Sequence, residues 1–449
     1  MQLPRTVSNL ISRLENAGFS AYAVGGCVRD TLLSLQPHDW DLCTSARPEE
    51  MQEVFRSERV VETGLKHGTL TVVIGRVPYE ITTFRTDGSY TDHRHPDSVT
   101  FVRDVAGDLS RRDFTVNAMA YSPRSGLVDL FGGQEDLARR VIRCVGVPEE
   151  RFREDALRIL RALRFASVFD FSVDPETDQA LRLLAPSMKD VAAERIREEL
   201  LKLLCGAGAG RILRDYPDVL SVIIPEIASM VGYDQKNHHH HFDLWEHTVR
   251  GVENIPPEPD LRLTMLLHDT GKLSVRTFDD RGEAHYRGHQ AASAAIAERV
   301  TADLRCDRQT MDRVVRLVRF HDIPLRTDSG AVNLDRSFLL RRLNRFGEKD
   351  LRALFLIHWA DRIATGHSSR EREDARMAER MNALDALLAE KPCFTLKDLA
   401  VNGNDLKALG LKGPALGDAL QKLLEAVMDG QVPNEKKQLN YFVTKFIKI

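Results

Sequence analysis

Two aspartates separated by one residue, Asp39 and Asp41, are the first side chains whose spacing suggests chemistry. On a strand, residues two apart point to the same face, so the two carboxylates would converge. Both stay ionised easily only with a cation between them, and Mg²⁺ accepts oxygen ligands while keeping sites for phosphates. The pair Gly25–Gly26 leaves room for a triphosphate near the backbone. With Glu80 as a third carboxylate, the pattern predicts a two-metal site that activates a hydroxyl and stabilises a leaving pyrophosphate.

A second set of side chains combines histidine with aspartate between residues 244 and 362. The segments are LWEHT (244–248), LLHDTGK (266–272), YRGHQ (286–290), RFHDI (319–323) and HWADR (358–362). Divalent ions accept histidine nitrogen and aspartate oxygen together. An adjacent His–Asp pair on one helix can bind one metal ion while its aspartate bridges to a second. The sequence therefore predicts a metal site built from His247, His268, Asp269, His289, His321 and Asp361.

The elements that must carry the first carboxylates form a mixed α/β unit with a small, partly antiparallel sheet. We expect five regular elements there: helices over 6–17 and 27–35, and strands over 22–26, 68–75 and 79–85. A short turn at 76–78 joins the last two strands. The polar segment 86–104 contains Gly and Pro without helical periodicity, and we expect it to be a mobile loop.

From about residue 150 onward, helical periodicity replaces the strand pattern. The segment 154–169 places Leu157, Leu160, Ala162 and Phe165 at helical spacing, with arginines on the other faces. A second helix is expected over 192–204, followed by a break at the Gly/Ala run 205–210. Helical segments continue to the end of the sequence.

Composition limits the classes of protein that this chain can be. Its 449 residues correspond to about three domains, and 43% hydrophobic with 29% charged residues is typical of a soluble globular protein. A net charge of −3 excludes a globally basic nucleic-acid binder, although a local basic groove remains compatible. Six scattered cysteines without a CxxC pair argue against disulfides and a cysteine zinc site. The amphipathic start and the lack of a long apolar run predict a cytoplasmic protein.

Eight segments in the first 205 residues resemble one family in both content and order. They are AVGGCVRD (23–30), HDWDLCTSARPE (38–49), TGLKHGT (63–69), EITTFR (80–85), RRDFTVNAMA (111–120), DLFGGQEDL (129–137), REDALRILRALRFA (153–166) and ERIREEL (194–200). The chain resembles the bacterial class II CCA-adding tRNA nucleotidyltransferases, a class that includes bacterial poly(A) polymerases. The resemblance implies template-independent addition of CMP, CMP and AMP to tRNA 3′ ends from CTP and ATP, with release of pyrophosphate.

The resemblance also implies roles for individual residues. Asp39 and Asp41 match the family's Mg²⁺ carboxylates, and Glu80 is placed with them as catalytic. Asp155 and Arg158 match the pair that reads the incoming base, lying three apart on one helix face. The nucleotide-binding set is Gly25, Gly26, Arg29, Arg111, Arg112, Asp113, Asn117, Asp155, Arg158, Arg161 and Arg164. Within it, Asp113 is expected to hold the ribose 2′-OH, and Glu194, Arg195 and Glu198 or Glu199 brace the helix of Arg158.

Members of this class add CCA, only CC, only A, or a poly(A) tail. The segment 63–69 has the form of tRNA-specific members, and the segment 86–104 resembles the flexible loop of full CCA-adding enzymes. Both features favour full CCA addition. An enzyme of partial specificity, adding only CC or only A, is the alternative within the class.

The His/Asp series resembles an HD phosphohydrolase domain over about 233–365. His247, His268, Asp269 and Asp361 match its four-residue metal set, and His289 and His321 match the additional ligands of its two-metal members. The metal implied is Mn, Ni, Co, Fe or Mg²⁺, and the substrates implied are 2′,3′-cyclic nucleotides or phosphates at RNA ends. Whether this site hydrolyses anything stays open at this stage. An alternative assigns the catalysis to the HD site and leaves the first domain as an RNA-binding module.

These observations predict an α+β fold with a small mixed-sheet nucleotidyltransferase head, an all-helical neck, an HD-type helical body and a helical tail. The expected domains are 1–144 (head), 145–230 (neck, base and tRNA recognition), 231–366 (HD metal-binding domain) and 367–449 (tRNA-binding tail). The predicted partners are tRNA, CTP and ATP, with no membrane. Both a monomer and a homodimer are compatible with the sequence.

Overall fold

The structure is a computed structural model that describes residues 1–65, 68–88, 98–237, 241–323 and 334–447. The chain divides into two compact units, Met1–Ala228 with Asp303–Cys306, and Ser229–Ala302 with Asp307–Ile449. Each unit is described by itself. The finer division into four domains stays a prediction.

A seven-stranded mixed sheet forms the core of the head, in the order β3-β4-β5-β2-β1-β8-β9. The β2–β5 pair is parallel and the other pairs are antiparallel, which confirms the predicted mixed-sheet α+β class. The strands of the head are β1 (Ala21–Val24), β2 (Leu42–Thr44), β3 (Arg59–Gly64), β4 (Thr69–Ile74), β5 (Val77–Thr83), β6 (Arg85–Asp87), β7 (Val99–Phe101), β8 (Met119–Ser122) and β9 (Gly126–Asp129).

Five helices flank this sheet. They are α1 (Arg5–Asn16), α2 (Gly26–Leu32), α3 (Pro48–Val54), α4 (Val105–Ser110) and α5 (Gly133–Arg139). The amphipathic helix predicted over 6–17 is therefore confirmed, and its apolar side, including Leu10 and Leu14, is fully buried. A short 3₁₀ helix over Thr115–Asn117 precedes β8.

The hairpin of β4 and β5 is tighter than predicted. Its turn consists of Gly75 and Arg76, both with positive φ (58° and 75°), so Val77 and Pro78 already belong to β5. Two-residue turns of this kind match the twist of antiparallel strands. The segment predicted as a loop is paired at its ends, because β6 and β7 form a two-stranded sheet. Residues 89–97 of that segment, and 66 and 67 of the segment 63–69, lie outside the described residues.

The neck follows the head and is a set of helices packed around α7. They are α6 (Pro148–Glu154), α7 (Leu157–Phe169), α8 (Pro175–Leu184), a 3₁₀ helix (Ala185–Asp190), α9 (Ala193–Leu204), α10 (Ala209–Asp215), α11 (Pro217–Leu220) and α12 (Glu226–Met230). The predicted all-helical neck is wrong in one detail. A short parallel sheet joins β10 (Val141–Ile142) to β11 (Ser172–Val173), because the chain after α7 runs beside the end of the head.

A second difference concerns the helix predicted over 154–169. The chain breaks at Asp155, whose φ and ψ of −145° and 103° are extended, and α7 begins at Leu157. The Asp155 side chain accepts a hydrogen bond from the Leu157 N–H at 3.1 Å. Aspartate competes with helix continuation in this way and favours helix starts. The break separates the two residues that the sequence placed on one helix.

The second unit is almost entirely helical. Its elements are α13 (Leu244–Asn254), α14 (Pro259–Leu267), α15 (Lys272–Val275), β12 (Thr277–Phe278), β13 (Ala284–His285), α16 (His289–Asp303), α17 (Arg308–Arg319), α18 (Arg336–Ala364), α19 (Arg370–Ala389), α20 (Gly403–Ala408), α21 (Pro414–Met428) and α22 (Lys436–Phe446). Helix α18 breaks at Gly347, where φ is 72° and ψ is 169°, a conformation that glycine accommodates. A search of the described helices finds none with the length and apolar character to cross a membrane.

Candidate functional site

The head carboxylates come together because of strand register. Strand β2 pairs with β5 in parallel with Leu42 opposite Ile81, which places Asp41 beside Glu80 one step earlier. The Val24 N–H donates to the Asp41 carbonyl at 3.0 Å, so Asp41 also lies beside the Gly25 turn. Asp39 and Asp41 precede β2 instead of lying within it, so the alternation of side chains along a strand does not apply to them.

The electrostatics of this group favour a cation. Asp39, Asp41 and Glu80 are all exposed to solvent. Desolvation by the surrounding protein, followed by the negative charges of Asp39 and Glu80, raises the pKa of Asp41 to about 6, and Arg112 opposes this only in part. Three oxygen-bearing groups that repel one another and face solvent fit the ligand preference of Mg²⁺. The residues present therefore fit the predicted ion.

The turn at Gly25 is shaped around an arginine. Gly25 has φ of 78° and ψ of −126°, and a Cβ at this position would lie 2.8 Å from Nη1 of Arg112. Only glycine allows both the backbone conformation and the close approach. The Gly25 N–H already donates to the Met119 carbonyl at 3.1 Å. Gly25 therefore contributes space for Arg112, while its own N–H is engaged within the fold.

One carboxylate that the sequence analysis missed holds both arginines of the RRDF segment. Asp108 is fully buried on α4, and its Oδ1 accepts from Arg111 Nη2 at 2.7 Å. Its Oδ2 accepts from Arg112 Nη2 at 3.2 Å. Burial raises the pKa of Asp108, but the two guanidinium groups outweigh it and hold the pKa below its ordinary value. The D-x-x-R-R spacing, three and four residues apart on a helix end, was the available signal.

A buried polar chain links the head to the neck through four predicted nucleotide-binding residues. Arg29 donates to Asn117 Oδ1 at 2.5 Å, and Asn117 donates to Asp113 Oδ1 at 3.1 Å. Asp113 Oδ2 accepts twice from Arg161, at 3.0 Å from Nε and 2.6 Å from Nη2. Burial opposes ionisation, yet Arg161 and Asn117 hold the pKa of Asp113 well below its usual range. Asp113 therefore orients Arg161, and its contact to a ribose stays a prediction.

The pair assigned to base reading does not share a helix face, which corrects the sequence analysis. Asp155 lies in the extended break before α7, whereas Arg158 lies in its first turn. Arg195 donates to Asp155 Oδ2 at 2.7 Å. Arg158 donates to Glu154 Oε2 at 2.7 Å and to the Arg111 carbonyl at 3.2 Å. Each member is thus fixed by its own partner instead of by the other.

The helix α9 holds the remaining arginine of the set. Arg164 Nε lies 2.6 Å from Glu199 Oε2, and Arg161 Nη1 lies 3.6 Å from Glu199 Oε1. Glu199 is buried, and the Arg164 side chain is 15% exposed. Desolvation, together with nearby Arg161, lowers the pKa of Arg164 to about 10, so it stays charged at neutral pH. Glu199 thus contacts α7 as predicted, whereas Arg195 contacts Asp155 before α7 and Glu194 pairs with Arg305.

The structure brings all six members of the His/Asp series together in the second unit. His247, His268, Asp269 and Asp361 place one ligand atom each within 4.8 Å of one another, and Asp269, His289 and His321 do the same. Asp269 belongs to both groups. Its Oδ2 lies 3.3 Å from His247 Nε2, whereas its Oδ1 lies 3.4 Å from His289 Nε2. A carboxylate with one oxygen in each group is the arrangement that bridges two ions.

Backbone carbonyls orient three of the histidine rings. Nδ1 of His268 lies 2.7 Å from the Met265 carbonyl oxygen. Nδ1 of His289 lies 2.9 Å from the Tyr286 carbonyl oxygen, and Nδ1 of His321 lies 2.7 Å from that of Val318. A carbonyl only accepts, so each Nδ1 carries a proton and each Nε2 faces the cluster. Nε2 of His289 and His321 are 3.2 Å apart. Nitrogen lone pairs that meet at this distance fit a shared divalent transition metal.

Within this cluster, the pKa values of His268 and His321 are shifted in opposite directions. Burial lowers the pKa of His268, but Asp269 and Asp361 outweigh it and raise that pKa to about 10. Burial and the charge of His268 lower the pKa of His321 to about 3. Lys272 Nζ lies 2.7 Å from Asp269 Oδ2 and donates to Gln235 Oε1 at 3.0 Å. The two aspartates attract positive charge to the centre, which a metal ion would also provide.

The comparisons with known proteins cover nearly the whole chain. Residues 21–143 match the Poly A polymerase head domain, 170–230 the probable RNA and SrmB-binding site of polymerase A, and 343–443 the putative tRNA nucleotidyltransferase domain 2. The chain is 36% identical to a CCA-adding enzyme of Levilactobacillus brevis over 437 residues, which is 97% of this chain and 96% of that protein. It is 35% identical to one of Limosilactobacillus fermentum over 433 residues, covering 96% and 94%.

A solved structure is similar over the same extent. The fold resembles the crystal structure of the Bacillus stearothermophilus CCA-adding enzyme in complex with CTP, with a TM-score of 0.72 and 30% identity. The match covers 99% of this chain and 98% of that one. The HD resemblance of residues 231–366 stays a prediction.

Proposed function

We propose how this chain, which belongs to the family of CCA-adding enzymes, divides its reaction among its residues. This membership confirms the predicted family and enzyme class, a nucleotidyltransferase that adds CMP, CMP and AMP to tRNA 3′ ends. Its partners are tRNA, CTP and ATP. We propose the cytoplasm as its location because these substrates are found there. The choice between monomer and homodimer stays open.

The catalytic centre is assigned to the head carboxylates. The family depends on a divalent metal, and Asp39 and Asp41, with Glu80 beside them, would hold Mg²⁺. When bound there, Mg²⁺ would lower the pKa of the attacking 3′-OH and neutralise the leaving pyrophosphate. The tRNA 3′ oxygen bonds to the α-phosphorus of the nucleotide while the bond to the bridging oxygen breaks. The observation that carries this assignment is the strand register that places Asp41 beside Glu80, together with the pKa of Asp41, which desolvation and then the charges of Asp39 and Glu80 raise to about 6.

The nucleotide triphosphate is assigned to Arg111 and Arg112. A guanidinium offers a planar fork that matches phosphate oxygens. The shared partner Asp108 holds both guanidinium groups in place before any nucleotide binds. Arg112 also lies at the Gly25 turn, beside the strand end that carries Asp41. Preorganised cations of this kind lose little freedom when the phosphates bind.

The base of the nucleotide is assigned to Asp155 and Arg158. An acceptor and a donor held rigidly can distinguish C and A from U and G by hydrogen bonding, without a nucleic-acid template. Arg195 fixes the first and Glu154 the second, and Asp113 holds the neighbouring Arg161. This support for each side chain favours a fixed reading site over a flexible one. The tRNA is assigned to the neck over 145–230 and the tail over 367–449.

A tRNA transcript that lacks its last three nucleotides tests this assignment. The enzyme is incubated with Mg²⁺ and CTP, ATP, both, UTP or GTP, and product length is read on a gel. We expect two additions with CTP alone and a third only when ATP is also present. Addition that stops at CC, or A added only to a CC end, would instead identify a partial-specificity enzyme. No addition with any nucleotide would overturn the assignment.

A second activity, that of a metal-dependent phosphohydrolase, is proposed for the His/Asp cluster formed by the two ligand groups that share Asp269. The observation that favours it is Asp269, which contributes one oxygen to each of two ligand groups. His247, His268, Asp269 and Asp361 would hold one ion, and His289 and His321 would hold another with Asp269. The ions proposed are Mn, Ni, Co or Fe, with Mg²⁺ as the alternative. A metal ion held there would supply a hydroxide at neutral pH for the hydrolysis of phosphate esters.

The test of this second activity uses RNA that ends in a 2′,3′-cyclic phosphate. The protein is loaded with Mn²⁺, Ni²⁺, Co²⁺ or Mg²⁺ in separate reactions, and opening of the cyclic phosphate is followed by chromatography. We expect opening with at least one transition metal and none for His268→Ala loaded in the same way. Metal bound in stoichiometric amounts without hydrolysis of cyclic phosphates or phosphomonoesters would show that the cluster is structural.

A further inference from the structure

The first half of α18 and the end of α17 form an arginine–aromatic patch, which we define as Arg342, Arg345, Phe338 and Phe346 of α18 with Phe320 after α17. The guanidinium carbon of Arg342 lies 4.9 Å from the centre of the Phe338 ring. That of Arg345 lies 4.3 Å from the Phe320 ring and 5.3 Å from the Phe346 ring. The Phe320 and Phe346 rings meet edge to face at 5.2 Å. The patch therefore holds two cations on a platform of rings.

Three other arginines of this helix, Arg336, Arg341 and Arg352, differ from the two in the patch. Arg336 pairs with Glu390 at 2.6 Å, Arg341 with Asp429 at 2.6 Å, and Arg352 with Asp385 at 2.5 Å. Within the part of the chain that the structure describes, Arg342 and Arg345 form no ion pair with a carboxylate. The helix thus neutralises the arginines around the patch and leaves two positive charges in it.

Keeping these two charges together is unfavourable for the isolated fold. Arg342 and Arg345 are three residues apart and therefore neighbours on one helix face, where like charges repel. Desolvation and then the charge of Arg345 lower the pKa of Arg342. Arg342 is half-buried and Arg345 is exposed, so both guanidinium groups remain within reach of a ligand. A polyanion would relieve the repulsion by supplying the missing negative charge.

We propose that the arginine–aromatic patch binds the sugar–phosphate backbone of the RNA substrate, at a surface outside the neck and tail segments assigned to tRNA above. Guanidinium groups bind phosphate oxygens through their planar forks, and rings beneath them hold the forks in one orientation. Neighbouring arginines on one helix face match a ligand with successive negative charges, which a nucleic-acid strand supplies. This proposal rests on the proposed function for the identity of the polyanion.

The test compares two double variants of the full-length protein with equal loss of charge. Arg342→Gln/Arg345→Gln removes the patch cations, and Arg336→Gln/Arg352→Gln removes two paired arginines of the same helix. Binding to a fluorescent tRNA transcript lacking its last three nucleotides is measured by anisotropy between 50 and 300 mM salt, roughly the range in which phosphate contacts dominate. For the patch variant we expect about a 10-fold higher Kd at 100 mM salt, and a salt slope smaller by about 1.5, since each phosphate contact contributes about 0.7 to 0.9. The control should stay within about twofold of wild type.

Further readouts distinguish RNA binding from a structural role. The KM for tRNA should rise for the patch variant while kcat and the KM for CTP stay unchanged, and its thermal midpoint should not fall. Equal losses in both double variants, or a lower thermal midpoint with unchanged tRNA affinity, would overturn the proposal. So would lost binding to phosphatidylserine vesicles with normal tRNA binding. If wild type binds tRNA but adds no nucleotide, the proposed function fails, whereas the binding comparison still decides on the patch.

Discussion

The head carboxylates and the His/Asp cluster around Asp269 gather acidic side chains in opposite ways. In the head, Asp39, Asp41 and Glu80 are exposed, and their mutual repulsion contributes to a raised pKa of about 6 for Asp41. In the His/Asp cluster, Asp269 is buried, and the charges of His268 and Lys272 hold its pKa well below its usual value. The head carboxylates therefore repel one another, whereas Asp269 has positively charged neighbours within the protein.

This difference in charge surroundings predicts how each site responds to the loss of a carboxylate. In an open group of carboxylates, the loss of one charge relieves the repulsion among the others. A buried carboxylate with positively charged neighbours is held in place by them, and its loss leaves those charges buried without a partner. The same substitution of aspartate by asparagine should therefore have opposite effects on stability at the two sites. The predictions below test this contrast in order of expected effect.

The largest effect is expected for Asp41→Asn. Loss of a metal carboxylate should lower the rate of nucleotide addition by about 1,000-fold or more. The fold should not suffer, because the substitution removes a repelled charge; we expect a gain of at most about 1 kcal/mol, kept small because Asp41 is exposed. Addition is measured by gel and stability by urea unfolding at pH 8. A clear loss of stability would break the proposed contrast.

Asp269→Asn is expected to act in the reverse direction. The bridging carboxylate is lost, and His268 and Lys272 remain buried without their counter-charge, so the second unit should lose about 3 kcal/mol of stability. Bound transition metal, measured by mass spectrometry after dialysis against Mn²⁺ or Ni²⁺, should fall by about 100-fold in affinity. The rate of CTP incorporation by the folded fraction should remain unchanged. Loss of CTP incorporation in protein that is still folded would contradict the separation of the two sites.

The ion pair between Asp113 of the head and Arg161 of the neck extends the comparison, because the protein supplies both of its charges. Arg161→Met leaves Asp113 buried without its main partner, and we expect a loss of about 2 kcal/mol, less than for a fully enclosed pair because Arg161 is partly exposed. Arg182→Met removes an exposed pair with Asp218 and should cost below about 1 kcal/mol. Urea unfolding of the two variants at pH 7 gives both values.

The sign of the pH dependence follows from the depressed pKa of Asp113. A carboxylate whose pKa is lower in the folded state stabilises the protein above its unfolded pKa of about 3.9 and loses that contribution as the pH falls. The stability difference between wild type and Arg161→Met should therefore be constant from pH 8 to 5 and shrink below about pH 4. A difference that grows in acid would show that another group is responsible.

The smallest effect is expected for Gly25→Ala. The new Cβ would meet Arg112 Nη1 and displace the guanidinium from its place beside Asp108, so CTP incorporation should fall by about 10-fold. Gly126→Ala is the matched control, because Gly126 also has a positive φ (72°) but no atom within 4 Å of its Cβ position. If both variants lose activity equally, backbone strain and not the position of Arg112 explains the effect.

Local sequence patterns predicted much of this fold correctly. The amphipathic spacing of α1 and the alternation in β4 and β5 are properties of neighbouring residues, so they could be recognised without the fold. The break at Asp155 escaped prediction because an apolar helical pattern continues across it, while the deciding hydrogen bond from Leu157 is a property of the backbone geometry. Asp108 escaped as well, since its role depends on full burial, which the D-x-x-R-R spacing alone does not reveal.

The sequence by itself determined the family and the enzyme class, and it predicted two sets of site residues, because each depends on residue types at short spacing. Only the tertiary structure decided which of those residues meet. Asp113 pairs with Arg161, which is 48 residues away in the sequence. Glu80 lies beside Asp41 because of the register of the parallel strands β2 and β5. Ion pairs and ligand groups depend on distances of a few ångströms between elements far apart in the chain, and those distances exist only once the elements have packed.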